Sequence, residues 1–307
     1  MGKNNKALTA INSTLLSATF RGLGALPWPI LRGLSGFIAR LAGDVVRYRR
    51  SVCRSNIASS FPEMSPEEVS RTVKDFYKFL ADYFVETLKL GVMKPDEMRR
   101  RMKFENIEEV NADLRSGRNV SIFLGHYCNW EWVSSMPLGL DLSTGAIPCQ
   151  IYHPLSNEAA DKVFGDIRRR FGATNLPMAT SAKTLMEMNA KGIPSVTGYI
   201  ADQTPSWRAI HHWIPFLNHD TPVFTGAEKI SRKIHASAYY IDMRRDKRGE
   251  YTGRFVKISD DVAAESPNAV TERYFAMLEE SIRRQPSLWL WSHRRWKRQR
   301  RKEPDKE

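Results

Sequence analysis

The strongest chemical signal in the chain is the run His126-Tyr127-Cys128-Asn129-Trp130-Glu131. It follows Leu124-Gly125 at the end of a short apolar stretch, where a strand ends and a glycine allows a tight exit. An imidazole at such a point can take the proton of a hydroxyl, and a nearby carboxylate can orient that imidazole and stabilise its charged form. Geometry sets a condition. On one continuous helix, side chains five residues apart point about 140° away from each other. His126 must therefore lie in a loop before the helix if it is to meet Glu131. Asn129 is a good N-cap for a helix running through Ser134. Glu131 then falls in the first turn, where the helix dipole and free N–H groups favour its ionised form. A plainer alternative stays open: His126 satisfies backbone groups and Glu131 only supports a helix start.

A competing chemistry is zinc, with His126, Cys128, Cys149 and His153 as the set. The His-x-Cys and Cys-x₃-His spacings do not match common zinc modules, and Cys128 and Cys149 read better as small buried residues. Other polar turns also follow apolar runs. Ile151–Asn157 places His153 and Asn157 beyond one run, and Tyr199–Pro205 places Asp202 and Gln203 beyond another. Taken alone, Asp202 is more often a turn former than a catalyst. Thr225-Gly226-Ala227 opens a helix whose N-terminus suits an anion or an oxyanion. Leu288–Lys297 mixes Trp with Arg and Lys, a composition of membrane interfaces and, less often, of base-stacking surfaces.

The elements that must position these residues read as helices first, then helix and strand alternating. Ser65 and Glu68 form a capping box for a helix towards Leu90, with Phe76, Phe79, Leu80, Phe84 and Leu88 on its apolar face. Helices are predicted at 106–116, 157–171, 181–191, 225–234 and 269–284. Strands are predicted at 119–124, 195–200, 236–243 and 254–258. Gly117, Gly172 and Gly192 stand where helix ends turn left-handed. This rhythm implies an α/β fold with a mainly parallel central sheet flanked by helices.

Composition bounds the rest. The 307 residues suffice for a large core, and three cysteines without framework spacing argue against a disulfide-stapled secreted protein. The net charge of +13 sits at the ends. Residues 1–54 carry nine Lys/Arg and one acid, residues 294–307 carry eight and three, and residues 55–293 are neutral. The chain thus divides into a basic membrane-anchoring segment (1–54), a catalytic body (55–293) and a basic tail (294–307). A neutral body with basic ends suits surface tethering better than a nucleic-acid groove, and no nucleic-acid partner is expected. Arg21, Arg32 and Arg40 interrupt the apolar N-terminal stretch, and Pro27 and Pro29 split it. A spanning helix would bury Arg32 at a cost of roughly 2.5–3.5 kcal/mol or more, so 30–47 is read as an interfacial helix. The start lacks a cleaved-signal layout, and Lys6 stands where a myristoylation signal wants Ser or Thr.

One set of short motifs, taken in order, resembles a known family. It comprises Tyr48-Arg49-Arg50, Arg54-Ser55-Asn56-Ile57, Phe61-Pro62, His126 to Glu131, Tyr152-x-Pro154-Leu155-x-Asn157, Ala201-Asp202-Gln203, Pro222-x-Phe224-x-Gly226 and Trp291-x-His293-Arg294-Arg295. The set resembles the lysophospholipid and glycerolipid acyltransferase superfamily, and within it the lipid A late acyltransferases, the lauroyl/myristoyl transferases of Gram-negative envelopes. The resemblance implies transfer of a fatty acyl chain from a thioester, expected on acyl carrier protein, to a hydroxyl of a lipid A precursor. His126 would be the general base and Glu131 its partner. His153, Asn157, Asp202, Gln203 and Gly226 would bind substrate, with no metal and no cofactor. The implied setting is the cytoplasmic face of the cell inner membrane, held peripherally or monotopically on an anionic surface. The alternative within the fold is a lysophospholipid or aminolipid acceptor. Many relatives carry Arg where this chain has His153, and a neutral imidazole grips phosphate less well than a guanidinium fork. Arg168, Arg169 and Arg170 are candidates to supply that charge. On this reading Glu131→Gln lowers turnover far more than folding stability.

Overall fold

Two prolines shape the N-terminal end of the computed structural model, which describes residues 3–300. Met1, Gly2 and residues 301–307 of the basic tail lie outside the described residues. Helix α1 (Lys3–Ala25) stops before Pro27, and Pro27 and Pro29 open α2 (Trp28–Arg40), where a missing N–H costs nothing. A π-helical turn (Leu41–Val45) follows, then Arg47 and Arg49 with left-handed backbone, then α3 (Arg50–Ser60). The Ser65–Glu68 capping box opens α4 (Pro66–Leu90). Phe76, Phe79 and Leu88 are buried on it, whereas Phe84 is exposed. Helix α1 explains the difference at the far end: it packs on α4, and its Gly24 lies against the Leu88 carbonyl, so Leu88 is covered.

Short α5 (Pro95–Arg101) leads into β1 (Met102–Glu105) and α6 (Ile107–Arg115). The alternation then continues through β2 (Val120–Leu124), β3 (Ile147–Tyr152), α7 (Glu158–Arg168), β4 (Thr174–Pro177), α8 (Met178–Ala190) and β5 (Ser195–Ile200). A small antiparallel hairpin, β6 (His212–Phe216) and β7 (His219–Val223), precedes α9 (Gly226–Lys233). Long strands β8 (Ser237–Lys247) and β9 (Glu250–Ser259) and helix α10 (Ala269–Arg284) complete the order. The seven-stranded sheet runs β1-β9-β8-β2-β5-β3-β4 and is parallel except between β8 and β9. Every residue of β2 is buried, as a strand covered on both faces requires.

The fold is the expected α/β class. Gly117, Gly172 and Gly192 all have positive φ at helix ends. The β6–β7 hairpin and the short strands β1 and β4 had no clear signal in the sequence, because each is only four or five residues long. The N-terminal segment is packed onto the body, with α2 along α4 and α1 against α4 and α7.

Candidate active site

The site lies at the carboxyl ends of β2 and β5, which are parallel neighbours with Leu124 opposite Ile200. His126 and Asp202 each lie two residues beyond that pair, so register brings them side by side. The His126 Nδ1 is 2.6 Å from Asp202 Oδ1, and the His126 backbone N–H donates to Asp202 Oδ2 at 2.9 Å. Trp289 Nε1 donates to the same Oδ2 at 2.8 Å. Gly125 permits this approach: a Cβ there would lie 2.6 Å from Leu278 Cδ1 and 3.3 Å from Asp202 Oδ2. The carbonyl of Leu124, left over at the strand end, accepts from the Tyr274 hydroxyl at 2.8 Å.

Asp202 is sealed from solvent, whereas the His126 side chain is 18% exposed. Burial pushes the Asp202 carboxyl up, but the adjoining imidazole and the His126 and Trp289 donors outweigh it and hold the group down at about 2. An ionised Asp202 facing Nδ1 selects the tautomer with the proton there. Nε2 is then left as the basic nitrogen. Gln203 Nε2 lies 3.1 Å from it, so the amide donates to the lone pair that a substrate hydroxyl would use.

The carboxylate partner of the imidazole is therefore Asp202, not Glu131. Asn129 does cap the following turn, accepting from the Trp132 N–H, but that turn is a 3-10 helix (Trp130–Leu138). Cys128 turns left-handed just before it. Glu131 is carried to the end of α7, where Arg168 grips it with two bonds, Nε at 2.8 Å and Nη2 at 2.6 Å. Tyr83 adds a longer contact at 3.4 Å. Among the described residues no hydrogen bond joins Glu131 to His126. Trp130 stands between the two pairs, stacked on Tyr83 at 4.1 Å and edge-on to His126 at 5.2 Å. For Arg168, burial lowers the pKa, but Glu131 outweighs it and raises the group above its ordinary range.

The other sequence candidates fall in different places. Asn157 caps α7, accepting from the Ala160 N–H at 2.9 Å. His153 is exposed, with Nδ1 2.9 Å from the Pro154 carbonyl. Gly226 opens α9 with nothing within 4 Å of its position for a Cβ, so the helix start there has room beside it. Cys128 and Cys149 are buried, and among the described residues no group of three or more His, Cys, Asp or Glu gathers as a metal site.

The C-terminal Trp–Arg stretch supports the site instead of lying open as an interfacial patch. Residues 288–290 pair with 126–128: the Cys128 N–H donates to the Leu288 carbonyl and the Leu290 N–H to the His126 carbonyl. Trp289 and Trp291 are buried. Arg295 is fully buried, donates to the Pro222 carbonyl at 2.8 Å, and is lowered by burial to about 10. His293 Nε2 accepts from the Thr204 N–H at 3.2 Å, next to Gln203, and burial lowers its pKa to about 4. The N-terminal motif residues hold this strap in place. Arg49 donates to the Ser292 carbonyl, and Asn56 donates to the carbonyls of Trp291 and His293. Sequence reasoning missed Trp289, whose only sign was an indole in a motif where indoles also suit membranes.

The carboxyl edge of the sheet, on which His126 lies, carries exposed apolar side chains. Leu155, Met178, Ile200 and Trp207 follow or end β3, β4 and β5 on the same edge of the sheet, and all are exposed, Trp207 by 56%. Exposed apolar side chains at one edge suit a lipid ligand.

A family model described as bacterial lipid A biosynthesis acyltransferase matches residues 3–298 of the chain. A lipid A biosynthesis palmitoleoyltransferase of Escherichia coli (strain K12) is 23% identical over 297 residues, covering 91% of this chain and 90% of that protein. A lipid A biosynthesis acyltransferase of Shigella flexneri matches to the same extent. A lipid A biosynthesis myristoyltransferase of the same Escherichia coli strain is 26% identical over 144 residues, 47% of this chain and 42% of that protein.

Proposed function

The chain belongs to the family of bacterial lipid A biosynthesis acyltransferases, and from that premise we propose a mechanism and setting for its acyl transfer. His126 is the general base, Asp202 orients it, and the donor is a fatty acyl thioester on acyl carrier protein. The hydroxyl of the lipid A precursor attacks the thioester carbonyl while Nε2 of His126 takes its proton. The tetrahedral adduct collapses, the C–S bond breaks, and the imidazolium returns the proton to the leaving thiolate. An alcohol is far too weak an acid to be deprotonated in advance, so the base must act as the C–O bond forms, which demands positioning. The observation that carries this reading is the His126–Asp202 pair, with Nδ1 held by the carboxylate, Nε2 free of it and the imidazole 18% exposed.

Gln203 gives up its contact with Nε2 when the acceptor hydroxyl arrives. Glu131 acts at one remove: it fixes Arg168, a cation about a quarter exposed, to which we assign the phosphate of the acceptor. That arrangement supplies the guanidinium that position 153 lacks. Asn157 and Gly226 place the starts of α7 and α9 to receive substrate. Membrane association is peripheral, on the cytoplasmic face of the inner membrane. It uses the exposed Ile30, Phe37, Val45 and Val46 of the N-terminal segment and the basic ends. No helix among the described residues is long and apolar enough to cross a membrane.

The test is transfer from acyl carrier protein thioester to a lipid A precursor by purified protein and by its His126→Ala variant. Coenzyme A thioester and a lysophospholipid serve as alternative donor and acceptor. Transfer that survives the substitution sinks the base assignment, and preference for the lysophospholipid overturns the acceptor.

A further inference from the structure

A concavity of about 670 Å³ opens between α2 with its π-helical turn, α4 and the β8–β9 turn. None of its walls belongs to the His126–Asp202 pair. Its size falls in the range of small-ligand sites. Four separate elements deliver cations to it: Arg40 from α2, Arg50 from α3, Lys74 and Lys78 from α4, and Arg245, Lys247 and Arg248 from β8 and its turn. The acids in its walls are already committed. Asp44 pairs with Arg50, Asp75 with Lys78, and the buried Asp82 with both Arg245 and Arg248. The side chains of Arg40 and Lys74 make no hydrogen bond or ion pair among the described residues, so the groove keeps an excess of positive charge. Its floor is constrained: a Cβ on Gly43 would lie 2.9 Å from the Tyr77 ring.

Exposed apolar side chains neighbour the lining residues of the groove in the chain. Phe37 (65% exposed), Leu41, Val45 and Val46 occupy the same turns as Gly36, Arg40 and Asp44. Cations in a cleft beside exposed apolar side chains match one chemistry in particular, a bilayer surface with its phosphate plane above acyl chains. An acidic protein would meet the charge but leave the apolar side chains unused. We infer that this groove binds the phosphate of an anionic glycerophospholipid in the membrane surface, while those side chains insert among the acyl chains. The site is separate from substrate binding and holds α2 at a defined depth. It rests on the peripheral-membrane reading above.

The probe is a vesicle of phosphatidylcholine doped with phosphatidylglycerol, and binding is read by co-sedimentation of the full chain. This readout needs no catalysis, so its failure and a failure of acyl transfer are told apart. Each cation near an anionic surface contributes about fivefold in affinity. Arg40→Gln with Lys74→Gln should therefore weaken binding roughly 25-fold. The pair Arg40→Lys with Lys74→Arg should retain binding, which rules out a folding defect. Lys191→Gln with Lys233→Gln, exposed and outside the groove, should change it little. Equal loss in that control, or no loss in the groove variant, overturns the site. So does a groove variant that keeps vesicle binding but loses affinity for acyl carrier protein. A thermal stabilisation by inorganic phosphate that the groove variant abolishes, with vesicle binding intact, assigns the groove to a soluble anion instead.

Discussion

Two carboxylates flank the same tryptophan, and each meets a nitrogen base. Asp202 meets an imidazole at 2.6 Å, and Glu131 meets a guanidinium through two bonds. Both carboxylates are buried, so burial does not separate them. The base does. An imidazole can give up and take back its proton near neutral pH, whereas a guanidinium stays charged. The first pair can cycle through a reaction and the second can only hold a charge in place. Position follows the same division, since His126 stands at the end of the central strand and Arg168 at the end of a flanking helix.

Experiments can break that contrast, and the largest effect is expected from His126→Ala. Removing a positioned base should cut acyl transfer by about 10²–10⁴-fold, with some fall in melting temperature as well, because the buried Asp202 carboxylate loses its partner. Kinetics at saturating acceptor check it. Glu131→Gln should act mainly on stability, because it strands a largely buried guanidinium. The expected loss is about 3 kcal/mol, the low end for a broken buried pair, since Arg168 is partly exposed. Denaturant midpoints measure it, and adding Arg168→Met should recover much of the loss. This reverses the expectation from the sequence, in which Glu131 oriented the base. If Glu131→Gln leaves stability untouched and abolishes turnover, the two pairs have exchanged roles.

Asp202→Asn should lower transfer about a hundredfold, within what a misoriented base forfeits. It also sharpens the contrast through pH. The Asp202 carboxyl is depressed from an ordinary 3.8 to about 2 in the folded state. Its stabilisation is therefore complete above the ordinary value and disappears as pH falls from about 4 to 2. The expected loss is about 2 kcal/mol across that window. Denaturation curves should show it for the wild type and not for Asp202→Asn. The smallest effect is expected from Gln203→Ala, less than about tenfold on transfer, because its amide only occupies Nε2 until the hydroxyl arrives.

Much of strand β2 and its exit was legible in the sequence. The apolar run before His126, the glycine after it and the cap at Asn129 are local features, and local physics acts over a few residues. The same holds for α4, where a capping box marked the start and periodicity the apolar face. The Trp-rich C-terminal stretch was misjudged for the opposite reason. Trp and Arg mark a membrane interface by composition, but Trp289 and Arg295 are buried here by contacts with residues more than seventy positions away.

By itself, the sequence determined the α/β rhythm and the family and put His126 forward as the candidate imidazole, because each rests on residues close in the chain or on motif order. Which acid faces that imidazole was decided only by tertiary structure. Glu131 is five residues from His126 and Asp202 is seventy-six. The nearer acid is turned aside by a left-handed residue and a 3-10 turn. The farther one arrives because two parallel strands pair in register, and no local pattern encodes which strands become neighbours.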